Sequence, residues 1–175
     1  MSETEAQFIE RAFLKPHHSR LTGDMFTSLR RWYGIEPLWT LTILGAETSL
    51  GDPRLGGPLV GVNNFGCIRA GKASTPWAKL ACGVITVNDR VWWRFKTPWD
   101  GIAAWGRLIK IGPTFIPGYY LERLRAGDWR GWAKVYYGES VEGFEAYLDN
   151  ILHLNAAFKR KLEAAGFPPA DRWTA

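Results

Sequence analysis

The sequence contains few of the residues that form disulfide frameworks and metal centres. Its 175 residues include only two cysteines and three histidines. Cys67 and Cys82 are too few for a disulfide scaffold, and they do not have the spacing of a zinc site. Whether they pair stays open at this stage. We expect the protein to use neither a metal nor a cofactor.

Long hydrophobic runs are also absent. No apolar stretch reaches the roughly 18–20 residues that a membrane span needs. Residues 1–10 carry three glutamates and no basic segment followed by an apolar run, so we expect no signal peptide. The expectation is a protein that is made in the cytoplasm and does not insert into a membrane.

Positive charge and aromatic rings, in contrast, are abundant. The chain has 22 Lys+Arg against 17 Asp+Glu, a net charge of +5, and it has 10 Trp, 6 Tyr and 9 Phe. This composition suits nucleic acid or an anionic glycan as a partner. Because the positive charges are scattered and no helix-turn-helix, RNP-like or finger pattern occurs, we expect no nucleic-acid partner.

The apolar spacing predicts one mostly helical domain over residues 1–175, with a small β-lobe, about residues 66–96, inserted at its centre. Residues 84–87 and 91–95 flank Asn88-Asp89-Arg90, which is typical of a tight hairpin turn. Capping signals place helix starts at Ser2, Thr97 and Ser140. The predicted fold class is mainly α, of the α+β kind, and we expect a monomer.

Glu47 is the most informative residue. It is the only ionisable side chain between Thr40 and Gly51, near the end of a predicted helix among leucine, isoleucine and small residues. A carboxyl in apolar surroundings at a helix C-terminus should have a raised pKa, as a general acid working near neutral pH requires. The alternative is a glutamate on the outer, solvent-facing side of the helix.

Two segments near Glu47 resemble a known family. Residues 46–51 read AETSLG, and after a Gly/Pro-rich loop residues 63–68 read NNFGCI. Together they resemble the E-[ST]-x-x-G … N-N-x-F-G-I signature of bacterial and phage glucosaminidases in the lysozyme-like superfamily. The resemblance implies a lysozyme-like fold in which Glu47 is the general acid that protonates the glycosidic oxygen of peptidoglycan.

The resemblance extends over roughly residues 38–152. Residues 93–102 read WRFKTPWDGI and resemble the family's strand-to-helix passage. Residues 133–138 read AKVYYG, with Tyr147 nine positions further on, and resemble the A-x-x-Y-x-G … Y element, in which a tyrosine faces the catalytic cleft. By that match Tyr136 is the first candidate for this tyrosine and Tyr137 the second.

The chain departs from the family where a second carboxylate is often found. Between Gly51 and Tyr120 it has no glutamate, and Asp89 is the candidate base, although its place at the hairpin tip favours a turn role for it. In one mechanism Asp89 activates water opposite Glu47. In the other, Glu47 acts alone, the substrate's 2-acetamido group attacks the anomeric carbon, and Tyr136 steadies the transition state.

Flat rings and amides near the lobe are candidate sugar contacts. Trp92 and Trp93 point to opposite faces of a strand, so at most one of them lines a cleft. The two asparagines have an alternative role in ordering their loop. The candidate substrate-binding residues are Asn63, Asn64, Phe65, Trp93, Trp99 and Tyr137.

The expected function is therefore cleavage of peptidoglycan glycan strands by a glucosaminidase-type hydrolase. Muramidase and lytic transglycosylase activity remain alternatives on the same fold, and a catalytically inactive glycan-binding or phage structural protein is an alternative of another class. We expect a phage or prophage endolysin or another cell-wall lytic enzyme that acts on the bacterial wall. If it is a phage protein, it reaches the wall by release through a holin or as part of a virion.

Overall fold

The computed structural model describes residues 2–112 and 119–169. In these ranges the chain is mainly helical with a two-stranded antiparallel hairpin, which confirms the predicted fold class. The helices and strands, in chain order, are α1 (Glu5–Ile9), α2 (Gly23–Tyr33), α3 (Pro37–Thr48), α4 (Pro58–Gly61), β1 (Ala81–Val87), β2 (Arg90–Phe95), α5 (Pro98–Ile111), α6 (Leu121–Arg125), α7 (Trp129–Ala133) and α8 (Phe144–Ala164). None of the helices in the described ranges has both the length and the apolar character needed to cross a bilayer.

Helix α3 runs through the core. Residues 37–44 are all buried, so this helix has no polar face, and it packs against the long helix α8. Its threonines are accommodated because their hydroxyls donate to backbone carbonyls one turn earlier, as Thr42 does to Leu38 at 2.8 Å. Because α3 is buried along its length, the residues at its C-terminal end also lie in the interior of the molecule.

The chain turns sharply where α3 ends. Ser49 and Leu50 adopt left-handed backbone conformations, with φ of 49° and 59°, and Gly51 follows at 76°. A Cβ on Gly51 would lie 2.9 Å from the ring of Phe65, so the close approach of this ring requires glycine. The Thr48 hydroxyl donates to the Phe65 carbonyl at 3.0 Å and ties the helix end to the paired-asparagine segment.

The hairpin has a two-residue turn. Val87 pairs with Arg90, and Asn88 and Asp89 between them have φ of 49° and 56°, the backbone that a type I′ turn requires. The turn falls in the predicted place, but Arg90 belongs to β2. On the other edge of β2, residues 68–70 run antiparallel to the strand, with Arg69 opposite Trp92.

The predicted helix starts are right in one of three places. Thr97 forms a capping box with Asp100 at the start of α5, as predicted. The first capping box is made by Thr4 with Gln7, and not by Ser2, because the same sequence pattern recurs two residues later. Gly143, and not Ser140, precedes α8, since its left-handed φ of 83° ends the turn after α7. The sequence also predicts a short helix over residues 117–126. Residues 117 and 118 lie outside the described ranges, and within the described residues this helix is α6, Leu121–Arg125.

Candidate active site

A cleft of about 630 Å³ lies beside the C-terminal end of α3. This volume falls in the range typical of small-molecule sites. Its walls come from the hairpin, from residues 67–69 and from the segment that follows α7. Among the described residues that line it, Glu47 is the only carboxylic acid, and the other lining side chains used below are Cys67, Arg69, Arg90, Trp92, Tyr136 and Tyr137.

Glu47 occupies the last turn of α3 and faces this cleft. The solvent-facing alternative therefore does not hold. The hydroxyl of Tyr147 donates to Glu47 Oε1 at 2.6 Å, from the facing side of α8. Burial raises the pKa of Glu47, and the hydrogen bond from Tyr147 lowers it by less, so the net direction is upward. The carboxyl thus holds its proton above the pH at which an exposed glutamate releases it.

The surroundings of Glu47 explain this direction. No described lysine, arginine or histidine forms an ion pair with it, and the carbonyl end of α3 disfavours a negative charge. Cys67, with a left-handed φ of 49°, places its thiol 3.8 Å from the Glu47 carbonyl oxygen, to which it donates. Burial first, and then the nearby Glu47, raise the pKa of this thiol well above its usual range. Cys67 is therefore a neutral neighbour of the acid.

Tyr136 lines the cleft, and its hydroxyl has two hydrogen-bond partners, a backbone carbonyl and an indole N–H. It donates to the Gly66 carbonyl at 2.6 Å and accepts from Trp105 Nε1 at 3.3 Å. Its ring stacks on Trp132, with the ring centres 4.5 Å apart. Burial, followed by the charge of Glu47, raises its pKa well above the ordinary value, so the phenol stays protonated. The structure brings Tyr136 and Glu47 to the same cleft, as predicted.

Tyr137 also lines the cleft, and it leads to a residue that sequence reasoning missed. Its ring stacks on Tyr147 at 4.2 Å between centres, nearly parallel. Tyr147, and not Tyr137, reaches the carboxyl of Glu47. The signal for Tyr147 was present in the motif match, but Glu47 lies 100 positions away along the chain, and spacing alone does not pair them.

Asp89 is not placed as the catalytic base that sequence reasoning considered. It is the second residue of the hairpin turn and is exposed, and it is not among the residues that line the cleft, whereas Asn88 and Arg90 on either side of it are. Its positive φ is the backbone that a short polar residue adopts in such a turn. The geometry assigns Asp89 to the turn.

The predicted sugar contacts of the paired-asparagine segment are corrected by their burial. Asn63 donates through Nδ2 to the Phe95 carbonyl at 2.9 Å. Asn64 donates to the carbonyls of Ile68 and Trp93, each at 2.9 Å, and its Oδ1 accepts from the Ile68 amide. Phe65 is fully buried. These residues tie the end of α3 to β2 from behind the cleft, which is the loop-ordering alternative.

The two tryptophans predicted to contact sugar, Trp93 and Trp99, do not line the cleft either. Trp92 lines the cleft, while Trp93 packs against the core on the other face of β2. Trp99, in the first turn of α5, makes an edge contact with Trp32 at 5.1 Å between ring centres and does not line the cleft. The sequence predicts that Trp92 and Trp93 point to opposite faces of the strand. Which of the two rings faces the cleft depends on how β2 pairs with its neighbours, and the sequence does not give that pairing.

Cys67 and Cys82 are free thiols, the first half-buried and the second exposed. Within residues 2–112 and 119–169, no group of three or more His, Cys, Asp or Glu side chains is arranged to hold a metal ion.

The fold and the cleft thus define a mainly α protein with an inserted hairpin and a single carboxyl at the end of a buried helix. No protein-family model matches the chain, and neither a curated protein nor a solved structure matches it. The likeness to glucosaminidases rests on the short motifs, and the chemistry of the cleft has to be derived from its geometry.

Proposed function

We propose that the protein cleaves the β-1,4-linked glycan strands of peptidoglycan as a glucosaminidase-type hydrolase, with Glu47 as the general acid. The observation that carries this proposal is the position of Glu47: it is the one carboxyl among the described lining residues of the cleft, and burial holds its pKa above the ordinary value. A protonated carboxyl facing a cleft is what departure of a sugar alkoxide requires. The net charge of +5 suits an anionic wall polymer.

The surroundings of Glu47 support a mechanism with a single acid. Glu47 gives its proton to the glycosidic oxygen, and the bond between that oxygen and the anomeric carbon breaks with its electrons on the oxygen. The carbonyl oxygen of the substrate's own 2-acetamido group bonds to the anomeric carbon in its place. Water then adds to this carbon, its proton returns to Glu47, and the acetamido group is released.

The other lining residues have roles consistent with this step. Tyr147 orients the carboxyl through its hydrogen bond to Oε1, and its own ring is fixed by stacking on Tyr137. Tyr136 presents a neutral phenol on the same cleft, and its position is fixed by the hydrogen bond to the Gly66 carbonyl. Trp92 offers a ring on the hairpin side, where the C–H face of a sugar can pack.

A lytic transglycosylase is the second candidate, because the same lone carboxyl serves it. In that reaction the sugar's own 6-hydroxyl, instead of water, adds to the anomeric carbon and leaves an anhydro sugar. A muramidase would cut at the other sugar of the repeat. The cleft supports a mechanism without a second carboxylate in each of these cases.

Digestion of purified peptidoglycan tests the proposal. We expect the wild-type protein to release soluble fragments and Glu47→Gln to release them at least about a hundredfold more slowly. Glu122→Gln, at an exposed glutamate on α6, should match the wild type. Mass spectrometry of the fragments separates the candidates: a reducing N-acetylglucosamine end marks a glucosaminidase, a reducing N-acetylmuramic acid end a muramidase, and an anhydro end a transglycosylase. Equal release by wild type and Glu47→Gln contradicts the assignment of Glu47. Binding without release by the wild type identifies a non-catalytic glycan-binding protein.

A further inference from the structure

Three side chains form a positively charged strip along the hairpin wall of the cleft. Arg69, Trp92 and Arg90 all line it, and we call them the arginine strip. Arg69 lies directly opposite Trp92 across an antiparallel bridge, so both side chains stand on the same face. Arg90 is two residues before Trp92 on β2 and shares that face by alternation.

The charge of the arginine strip is not neutralised by the protein. Neither arginine forms an ion pair with any residue in the described ranges, and Glu47 is the one carboxyl on the described cleft walls. In contrast, Arg11, Arg54 and Arg130 all form ion pairs with carboxylates elsewhere. Two unpaired guanidinium groups inside a concave site favour an anionic ligand.

The geometry of Arg69 points to a carboxylate. Its guanidinium lies over the Trp92 ring, with the central carbon 5.6 Å from the ring centre. A cation held over an indole leaves the N–H groups that point away from the ring for a ligand, and two such groups match the two oxygens of a carboxylate.

We propose that the arginine strip binds carboxylates carried by the glycan, so that the substrate of this cleft is an acidic N-acetylated glycan and not a neutral polymer of N-acetylglucosamine. This inference rests on the proposed function for the identity of the polymer. It adds that recognition depends on the substituents of the strand as well as on its sugar backbone.

Peptidoglycan offers carboxylates from two sources. In a strand stripped of its peptides, the lactyl group of each muramic acid is a free carboxylate. In an intact strand the lactyl group is an amide, and the carboxylates belong to the stem peptide. Three ligands therefore distinguish the cases: chitotetraose, which is neutral, a peptide-free tetrasaccharide with free lactyl groups, and the same tetrasaccharide with stem peptides.

The test measures binding by titration calorimetry in the Glu47→Gln protein, where turnover does not consume the ligand. We expect the acidic tetrasaccharides to bind on the order of tenfold more tightly than chitotetraose at low salt, with the difference shrinking as salt is added. Adding Arg69→Gln and Arg90→Gln should abolish the preference while chitotetraose binding stays within about twofold. Adding Arg31→Gln, an exposed arginine on α2 away from the cleft, should leave the preference intact.

The outcomes separate this inference from the proposed function. If wild-type protein cleaves peptidoglycan but the Glu47→Gln protein binds all three ligands equally, the function stands and the arginine strip is overturned. If nothing is cleaved yet the acidic ligands are preferred through Arg69 and Arg90, the cleft is an acidic-glycan site without the proposed reaction. A short DNA oligonucleotide that binds as tightly as the acidic glycans also overturns the proposal, because the strip would then respond to charge alone.

Discussion

Helix α3 has a glutamate at each end, and the two residues have opposite surroundings. Glu36 precedes the first turn, is 2% exposed, and accepts a hydrogen bond from Arg30 at 3.4 Å. Arg30 also holds Glu5. Glu47 lies in the last turn, has no cationic partner among the described residues, and faces the cleft. Burial raises the pKa of both glutamates.

The difference shows that a raised pKa alone does not identify a catalytic acid. At Glu36, the pull of Arg30 opposes the effect of burial, and the positive end of the helix favours the anion. The proton there has no route to a ligand because the side chain is enclosed. At Glu47 the helix end disfavours the anion, and the carboxyl opens onto a space of about 630 Å³. Access to the cleft and the lack of a cationic partner distinguish Glu47, the proposed acid, from Glu36.

The largest expected effect is a difference in activity between variants of Glu47 and Glu36. Glu47→Gln should lower glycan cleavage by about 10²–10⁴-fold, the usual contribution of a general acid. Glu36→Gln should keep activity within about twofold, since Gln still accepts the Arg30 hydrogen bond and nothing at that end contacts a substrate. Release of reducing ends from peptidoglycan measures both. Comparable losses in the two variants would mean that Glu47 acts through stability and not through proton transfer.

The next effect is on stability, at the other end of the helix. Arg30→Met leaves Glu36 and Glu5 side by side without their cation, and it should lower the free energy of unfolding by about 1–3 kcal/mol, less than for a fully buried pair because Arg30 is partly exposed. The raised pKa of Glu36 rises further, so the loss should be larger at pH 7 than at pH 4, where the Glu36 carboxyl is mostly protonated. Urea unfolding at both pH values measures it.

Arg31→Met, an exposed neighbour on α2, is the matched control for that experiment and should change stability little. A loss for Arg30→Met that is the same at both pH values would indicate missing packing of the arginine stem, and not an uncompensated charge.

How much of this arrangement the sequence predicts depends on how far apart the interacting residues lie. That Glu47 faces a cleft and not solvent depends on the hairpin and on the segment after α7, which are distant in sequence. The Thr97 cap and the Asn88-Asp89 turn follow from short patterns, since each is decided within about one turn of chain. The partner of Glu47 does not, because the contact with Tyr147 spans 100 positions and needs the packing of α8 on α3. The sequence therefore predicts local structure, but not which distant residues contact each other.

The asparagines illustrate the same limit. An amide near a catalytic acid suits a sugar contact as well as a loop tie, and only the position of a distant backbone decides between them. The Phe95 carbonyl takes the Asn63 donor and the Trp93 carbonyl takes the Asn64 donor, both from β2. The register of the same strand sets Trp92 toward the cleft and brings Arg69 beside it.

A smaller effect concerns stability at the C-terminal end of α3. The pKa of Glu47 is raised above 4.5, so its contribution to folding stability is complete below that pH and is lost as the pH rises through the folded-state value. Glu47→Gln does not titrate and can still accept the Tyr147 hydrogen bond. It should therefore be more stable than the wild type by about 1 kcal/mol at pH 7, and equal to it at pH 4. Thermal unfolding at the two pH values measures the gap, and a gap that does not grow with pH would contradict the raised pKa.

The smallest expected effect comes from Tyr147, the hydrogen-bond partner of Glu47. Tyr147→Phe removes the hydrogen bond that favours the charged carboxylate, so the pKa of Glu47 should rise and the alkaline limb of the pH–activity profile should move to higher pH. We expect less than a tenfold change in kcat on the plateau, because the ring keeps its stacking on Tyr137. Tyr137→Phe is the control: its hydroxyl contacts the Glu142 carbonyl and not Glu47, so the limb should stay in place. An alkaline limb that moves to lower pH in Tyr147→Phe would contradict this expectation. It would mean that the Tyr147 hydroxyl stabilises the protonated form of Glu47 and not the carboxylate.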